Sequence, residues 1–195
     1  MLKKICNIVK AGPIGIFDSG IGGLTVASAI HKAFPNESII YFGDTAHLPY
    51  GEKSVESIQS YAIAITDFLL SHGCKMIVIA CNSASAAAYE LLQKKYQGIV
   101  PIIDVISPLV ELVGRQNYRK VGVIATKATV RTDIYAQKLQ AIKPNMEVIS
   151  LATGLLASMI EEGFVNNDIS HAVLHKYLKY PDFEAVRESF TNVLT

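Results

Sequence analysis

Short apolar runs recur along the chain, separated by longer stretches in which apolar and polar residues alternate with helical spacing. The runs are Ile14 to Phe17, Ile39 to Phe42, Met76 to Ala80, Ile102 to Ile106 and Val121 to Ala125. Fully apolar runs of this length between helical segments predict strands of a parallel sheet covered on both faces. The pattern predicts strands at 14–17, 39–42, 75–80, 101–106, 120–125 and 146–151. It predicts helices to about Ala33, from Ser54 as N-cap to Ser71, over 84–95, from Ser107-Pro108, and over 129–141. Beyond Leu155 it predicts helices with turns near Gly163 and Pro181. Alternating strand and helix implies an α/β architecture with right-handed crossovers.

Val121-Gly122-Val123-Ile124-Ala125-Thr126 echoes Ile14-Gly15-Ile16-Phe17-Asp18-Ser19. Each is an apolar strand with glycine second and a hydroxyl residue at its C-terminal tip. The echo implies two similar halves with a boundary near residue 100, so domains of 1–100 and 101–195 are expected. The alternative is chemistry common to any such strand.

Composition narrows the function classes. Half of the 195 residues are hydrophobic, enough for a sizeable core. No apolar run approaches the roughly 18 residues that a membrane helix needs. Lys plus Arg is 18 against 17 for Asp plus Glu, which leaves no electrostatic footprint for nucleic acid or a lipid surface. Residues 1–10 lack a signal-peptide core, and three cysteines without metal spacing suit a reducing compartment. A cytoplasmic protein is expected.

In open α/β sheets ligands bind beyond the carboxyl ends of the strands. The polar residues there are Asp18 and Ser19, Gly43 and Asp44, Cys81 with Asn82 and Ser83, and Thr126. Cys81 lies between an apolar strand and a helix start, where unpaired N–H groups favour a thiolate and lower its pKa. The competing reading is a small buried hydrophobe, the commonest fate of a free cysteine. Asp18 to Gly23 could hold an anion at a helix N-terminus, although Thr25 replaces the third glycine of a dinucleotide fingerprint. Pro49-Tyr50-Gly51 reads either as a plain turn or as a rigid backbone edge over a ligand. Cys74 is expected to be structural and Cys6 exposed. His171 and His175 could share a metal, but no third ligand accompanies them.

These motifs together resemble the aspartate/glutamate racemase superfamily, glutamate racemases above all. The resemblance is carried by 16–24 (IFDSGIGGL), 41–44 (YFGD), 48–51 (LPYG), 79–85 (IACNSAS), 121–126 (VGVIAT) and 159–163 (MIEEG), in order along residues 13 to 178. It implies two similar α/β domains with mainly parallel sheets flanked by helices, and interconversion of L- and D-glutamate for peptidoglycan synthesis. It implies neither pyridoxal phosphate nor metal; a homo-oligomer is expected separately, from the apolar face the first domain would expose. Carried over, Cys81 is a catalytic base and Asp18 assists it. Ser19, Pro49, Tyr50, Gly51, Asn82, Ser83 and Thr126 hold the amino acid, and Glu161 acts near a second thiol. Ser83 stands where threonine is usual.

The resemblance also implies a second motif, Gly-Cys-Thr-His, which this sequence lacks. The interval of 62 residues from Ser19 to Cys81, added to Thr126, points to Glu188, within Val186-Arg187-Glu188-Ser189-Phe190. The expectation is therefore a fragment or truncated gene product with an incomplete second domain, or else an intact divergent protein with a helical tail, in either case without racemase activity alone and with an exposed apolar face on its first domain. Two other readings stand beside it. One is a non-catalytic amino-acid-binding or interaction protein. The other is a thiol-nucleophile hydrolase with His47 as a remote base.

Overall fold

The structure, a computed structural model, describes residues 11–180. Strand β1 (Ile14–Asp18) is buried along its whole length, as a central parallel strand must be. It pairs in parallel with β2 (Ile39–Gly43) on one side and β3 (Met76–Ile79) on the other. Strand β4 (Ile102–Asp104) adds to β3, giving the order β2-β1-β3-β4. Helices α1 (Leu24–Ala33), α2 (Val55–Ser71) and α3 (Asn82–Lys95) connect these strands. Ile16, Phe17, Ile77 and Ile79 lose all solvent contact between the layers.

The predicted caps form. Ser54 accepts a hydrogen bond from Ser57 N at the start of α2. Gly73, after its end, has a φ of +76°, which glycine adopts without a Cβ penalty.

A second compact unit begins at Ile106. It holds α4 (Ile106–Gly114), β5 (Lys120–Ala125), α5 (Lys127–Thr132), α6 (Ile134–Ile142), β6 (Glu147–Ala152), α7 (Leu156–Glu161) and α8 (Asp168–Leu178). Strands β5 and β6 pair in parallel, and Lys120 meets Glu147 at 2.8 Å across the register. Leu139 of α6 and Met146 before β6 are buried in this unit.

Two expectations need correction. The fourth strand ends at Asp104, and Ile106 already belongs to α4, buried on its inner side. A helix uses one apolar stripe where a strand would use a run, and the run alone did not separate them. The single helix expected over 129–141 is two helices. Asp133 breaks them with a φ of +54°, an excursion that Asp tolerates better than most residues. Cys6, Pro181 and the 186–190 stretch lie outside the described residues.

Among the described residues no helix is long and apolar enough to cross a membrane. Nor does any group of three or more His, Cys, Asp or Glu side chains gather within metal-binding range.

Candidate active site around Cys81

Strand β3 delivers Cys81 to the carboxyl edge of the first sheet, where it becomes the N-cap of α3. Its sulfur accepts a hydrogen bond from Ala84 N at 3.4 Å and lies 3.5 Å from Ser19 Oγ. Ser19 follows β1, the strand paired beside β3, so parallel register brings the two tips together. Cys81 is buried, as is Asp18 at the end of β1.

Asp18 is held by the glycine turn that follows it. Gly20 N and Gly23 N both donate to its Oδ2, at 3.1 and 3.0 Å. The turn has no room for a side chain at its last position. A Cβ on Gly23 would stand 2.7 Å from Asp18 Cβ and 2.8 Å from Ala80 Cβ. Backbone amides aimed at one carboxylate stabilise its charged form.

The thiol reverses the expectation drawn from its helix position. Burial pushes Cys81 up to about 11, and the neighbouring negative charge of Asp18 pushes the same way. Hydrogen bonds from the Ser19 side chain and from the Ala84 and Ser19 backbones pull it down, but less. The helix N-terminus does favour the thiolate; desolvation outweighs it. The charge of Asp18 therefore adds to burial in opposing ionisation of the thiol.

The loop after β2 forms a second wall. Asp44 N donates to Asp18 O at 2.9 Å, which continues the β1–β2 ladder past the strand ends. The Asp44 carboxylate accepts from the Tyr50 hydroxyl at 2.6 Å and meets His47 Nδ1 at 2.8 Å. His47 stacks on Tyr61 with ring centroids 4.2 Å apart. Tyr50 opens a single 3-10 turn (Tyr50–Glu52) after the cis Leu48–Pro49 bond and is almost completely buried. Burial comes first in raising its phenol, then Asp44, and the charge of Cys81 adds to this.

Of the sequence candidates, Asp18, Ser19 and Cys81 gather at the carboxyl edge of β1 and β3. Asn82 is exposed and Ser83 buried in the first turn of α3. Pro49 is exposed and Gly51 half-buried on either side of Tyr50. Thr126 and Glu161 belong to the second unit. Thr126 caps α5 by accepting from Thr129 N at 3.4 Å, and Glu161 ends α7 exposed. His47, the remote base of the hydrolase reading, spends its Nδ1 on Asp44. Cys74 is buried beside Gly15, as a structural cysteine would be.

Sequence reasoning missed Tyr41, whose hydroxyl donates to Gly20 O at 3.0 Å from the neighbouring strand. Within an apolar run it looks like core. The available signals were its place at the head of the 41–44 motif (YFGD) and its position two residues before the β2 tip.

Residues 22–168 match the Asp/Glu/Hydantoin racemase family. The chain belongs to that family. Among similar proteins, the glutamate racemase of Geobacter metallireducens is 44% identical over 168 residues, which is 85% of this chain and 61% of that protein. The glutamate racemase of Chlorobaculum tepidum is 43% identical over 173 residues, covering 88% and 63%. The crystal structure of glutamate racemase from Francisella tularensis in complex with D-glutamate superposes with a TM-score of 0.82 at 48% identity, covering 87% of this chain and 63% of that one. The Thermus thermophilus enzyme, in complex with beta-chloro-D-alanine, gives 0.78 at 38% identity and the same coverage. This racemase-family chain thus spans less than two thirds of the length of these relatives. Its fold is the α/β fold of that family, with parallel sheets flanked by helices.

Proposed function

We propose that the chain carries one proton-transfer half of a glutamate racemase, with Cys81 as the group that exchanges the α-proton. The supporting observation is the placement of the Cys81 sulfur at the sheet's carboxyl edge, 3.5 Å from Ser19 Oγ and within the field of Asp18. The relatives named glutamate racemase and the D-glutamate complex supply the substrate class.

As a base, the thiolate takes the α-proton: the C–H bond breaks, an S–H bond forms, and the electron pair stays on the substrate's α-carbon and carboxylate. A proton from a second acid on the opposite face completes inversion. A neutral Cys81 serves the reverse direction, donating its proton to the carbanion. A bound α-ammonium beside the sulfur would favour the thiolate by direct Coulomb attraction, offsetting Asp18. Ser19, Asn82, Ser83 and the backbone of Pro49-Tyr50-Gly51 would orient the amino acid, as would Thr126. Glu161 would serve the second thiol. In this reading the two domains are 1–100 and 101–195, the enzyme is cytoplasmic and homo-oligomeric, and its product feeds peptidoglycan synthesis.

Incubation with each glutamate enantiomer in deuterium oxide tests the reading. We expect Cys81-dependent α-deuterium incorporation into one enantiomer, without inversion by the 195-residue chain alone and absent in Cys81→Ala. No incorporation, together with no protection of Cys81 from alkylation by glutamate, would leave a non-catalytic protein on this fold.

A further inference from the structure

The Tyr41 side chain leaves its own strand to serve the neighbouring one. On β2, Tyr41 stands in register with Ile16 of β1. Its ring packs on the core formed by Ile14, Ile16, Ala27, Val78 and Ala80. Its hydroxyl then reaches past the end of β1 and donates to Gly20 O at 3.0 Å. The hydroxyl also overlies Gly23, where a Cβ would come within 3.1 Å of it. Gly20 O is confined from another side by Gly43, whose own Cβ would meet that oxygen at 2.4 Å. The turn from Gly20 to Gly23 is thus fixed at its carbonyl by Tyr41, while its two amides point at Asp18 Oδ2.

We propose that Tyr41 is a positioning residue: by pinning the Gly20 carbonyl it aims the Gly20 and Gly23 amides at Asp18, and through Asp18 it governs the Cys81 thiol. The inference rests on the reading of Cys81 as the reacting group. Burial raises the Tyr41 phenol, and the charges of Asp18 and Cys81 add to it, so the hydroxyl stays a donor. The titratable groups facing the sulfur are Asp18 from β1, Tyr41 from β2 and Tyr50 from the loop, the last bonded to Asp44. Without the phenol hydroxyl the turn relaxes. Asp18 then loses part of its amide compensation, and its charge bears more strongly on the thiol.

The test is the pH profile of Cys81 carbamidomethylation by iodoacetamide, read at that residue by peptide mass spectrometry, in the unaltered chain, Tyr41→Phe, Asp18→Asn and the double variant. Tyr41→Phe keeps the ring and its packing. Its profile is expected to move to higher pH, with alkylation about threefold slower below the midpoint, equivalent to half a pKa unit. Asp18→Asn is expected to move the profile to lower pH. In its background the tyrosine substitution should do nothing, which a merely structural role would not produce. Amide exchange supplies a second measurement, with Gly20 and Gly23 expected to exchange about tenfold faster in Tyr41→Phe.

Superimposed profiles, or a Tyr41→Phe shift that persists without the Asp18 charge, would overturn the proposal. If the reagent cannot reach Cys81 in any variant, unchanged exchange at Gly20 and Gly23 overturns it instead. Failure of the functional reading looks different: glutamate would not protect Cys81, while the Tyr41 effect on the thiol would remain.

Discussion

Asp44 N donates to the carbonyl of Asp18 at 2.9 Å, which ties the two acidic residues of the site backbone to backbone. One ladder therefore fixes both walls of the site. Asp18 faces the thiol, and Asp44 holds the loop that carries Tyr50. The expected consequences can be measured on the chain itself.

Alkaline pH should destabilise the fold through Cys81. Its folded pKa is raised from 9.0 to about 11, so the folded state keeps a proton that the unfolded chain releases first. The stabilisation is complete below pH 9, falls as pH rises and is gone above 11. The difference corresponds to about 2–3 kcal/mol. Urea midpoints at neutral and strongly alkaline pH should diverge less in Cys81→Ala than in the unaltered chain.

Removing the Tyr50 hydroxyl should cost about 1–3 kcal/mol. The bond to Asp44 is short, buried and made to a charged acceptor. Tyr50→Phe leaves the ring in place, so the loss should appear in the urea midpoint with little change in slope. Asp44→Ala should cost at least as much, because it also releases His47.

Gly43→Ala should be destabilising although β2 is a regular strand. The new methyl would meet Gly20 O at 2.4 Å, and both partners are backbone, so neither yields cheaply. A loss of about 1–3 kcal/mol is expected. Gly98→Ala is the contrasting control: it has open space, and only its positive φ of +77° opposes the change. Thermal unfolding of the two variants separates steric from conformational cost.

Self-association should trace to the β4 side of the first sheet. Among the described strands β4 is, with β2, one of the two edges of the first sheet; Ile103 is 41% exposed and Ile99 before it is 54% exposed. An apolar edge strand offers unpaired backbone groups to another copy. Ile103→Lys should raise the concentration at which light scattering appears. Unchanged scattering would remove this edge as the cause.

Much of this architecture was legible in the sequence, for identifiable reasons. Parallel strands buried on both faces are read from unbroken apolar runs, and the polar residue ending each run marks the ligand side. Lys120 to Ala125 matches its predicted bounds, and Ser54 caps the helix it precedes. Ile106 was misassigned because a short apolar run fits a strand or a buried helical turn equally well. Asp133 hid a break that no glycine announced. The sign of the Cys81 shift was not legible either: a helix start is visible in sequence, whereas the extent of burial depends on how four segments pack. Tyr41 escaped for the same reason, since register decides which turn its hydroxyl meets.

A sulfur that keeps its proton is also a poor target for oxidants, because peroxide attacks thiolates. With Asp18 at hand and the side chain buried, Cys81 should resist conversion to sulfenic acid at neutral pH. The residue would then be chemically quiet until something positively charged comes to lie beside it, so electrophilic inhibitors carrying an ammonium group should outperform neutral ones of equal intrinsic reactivity.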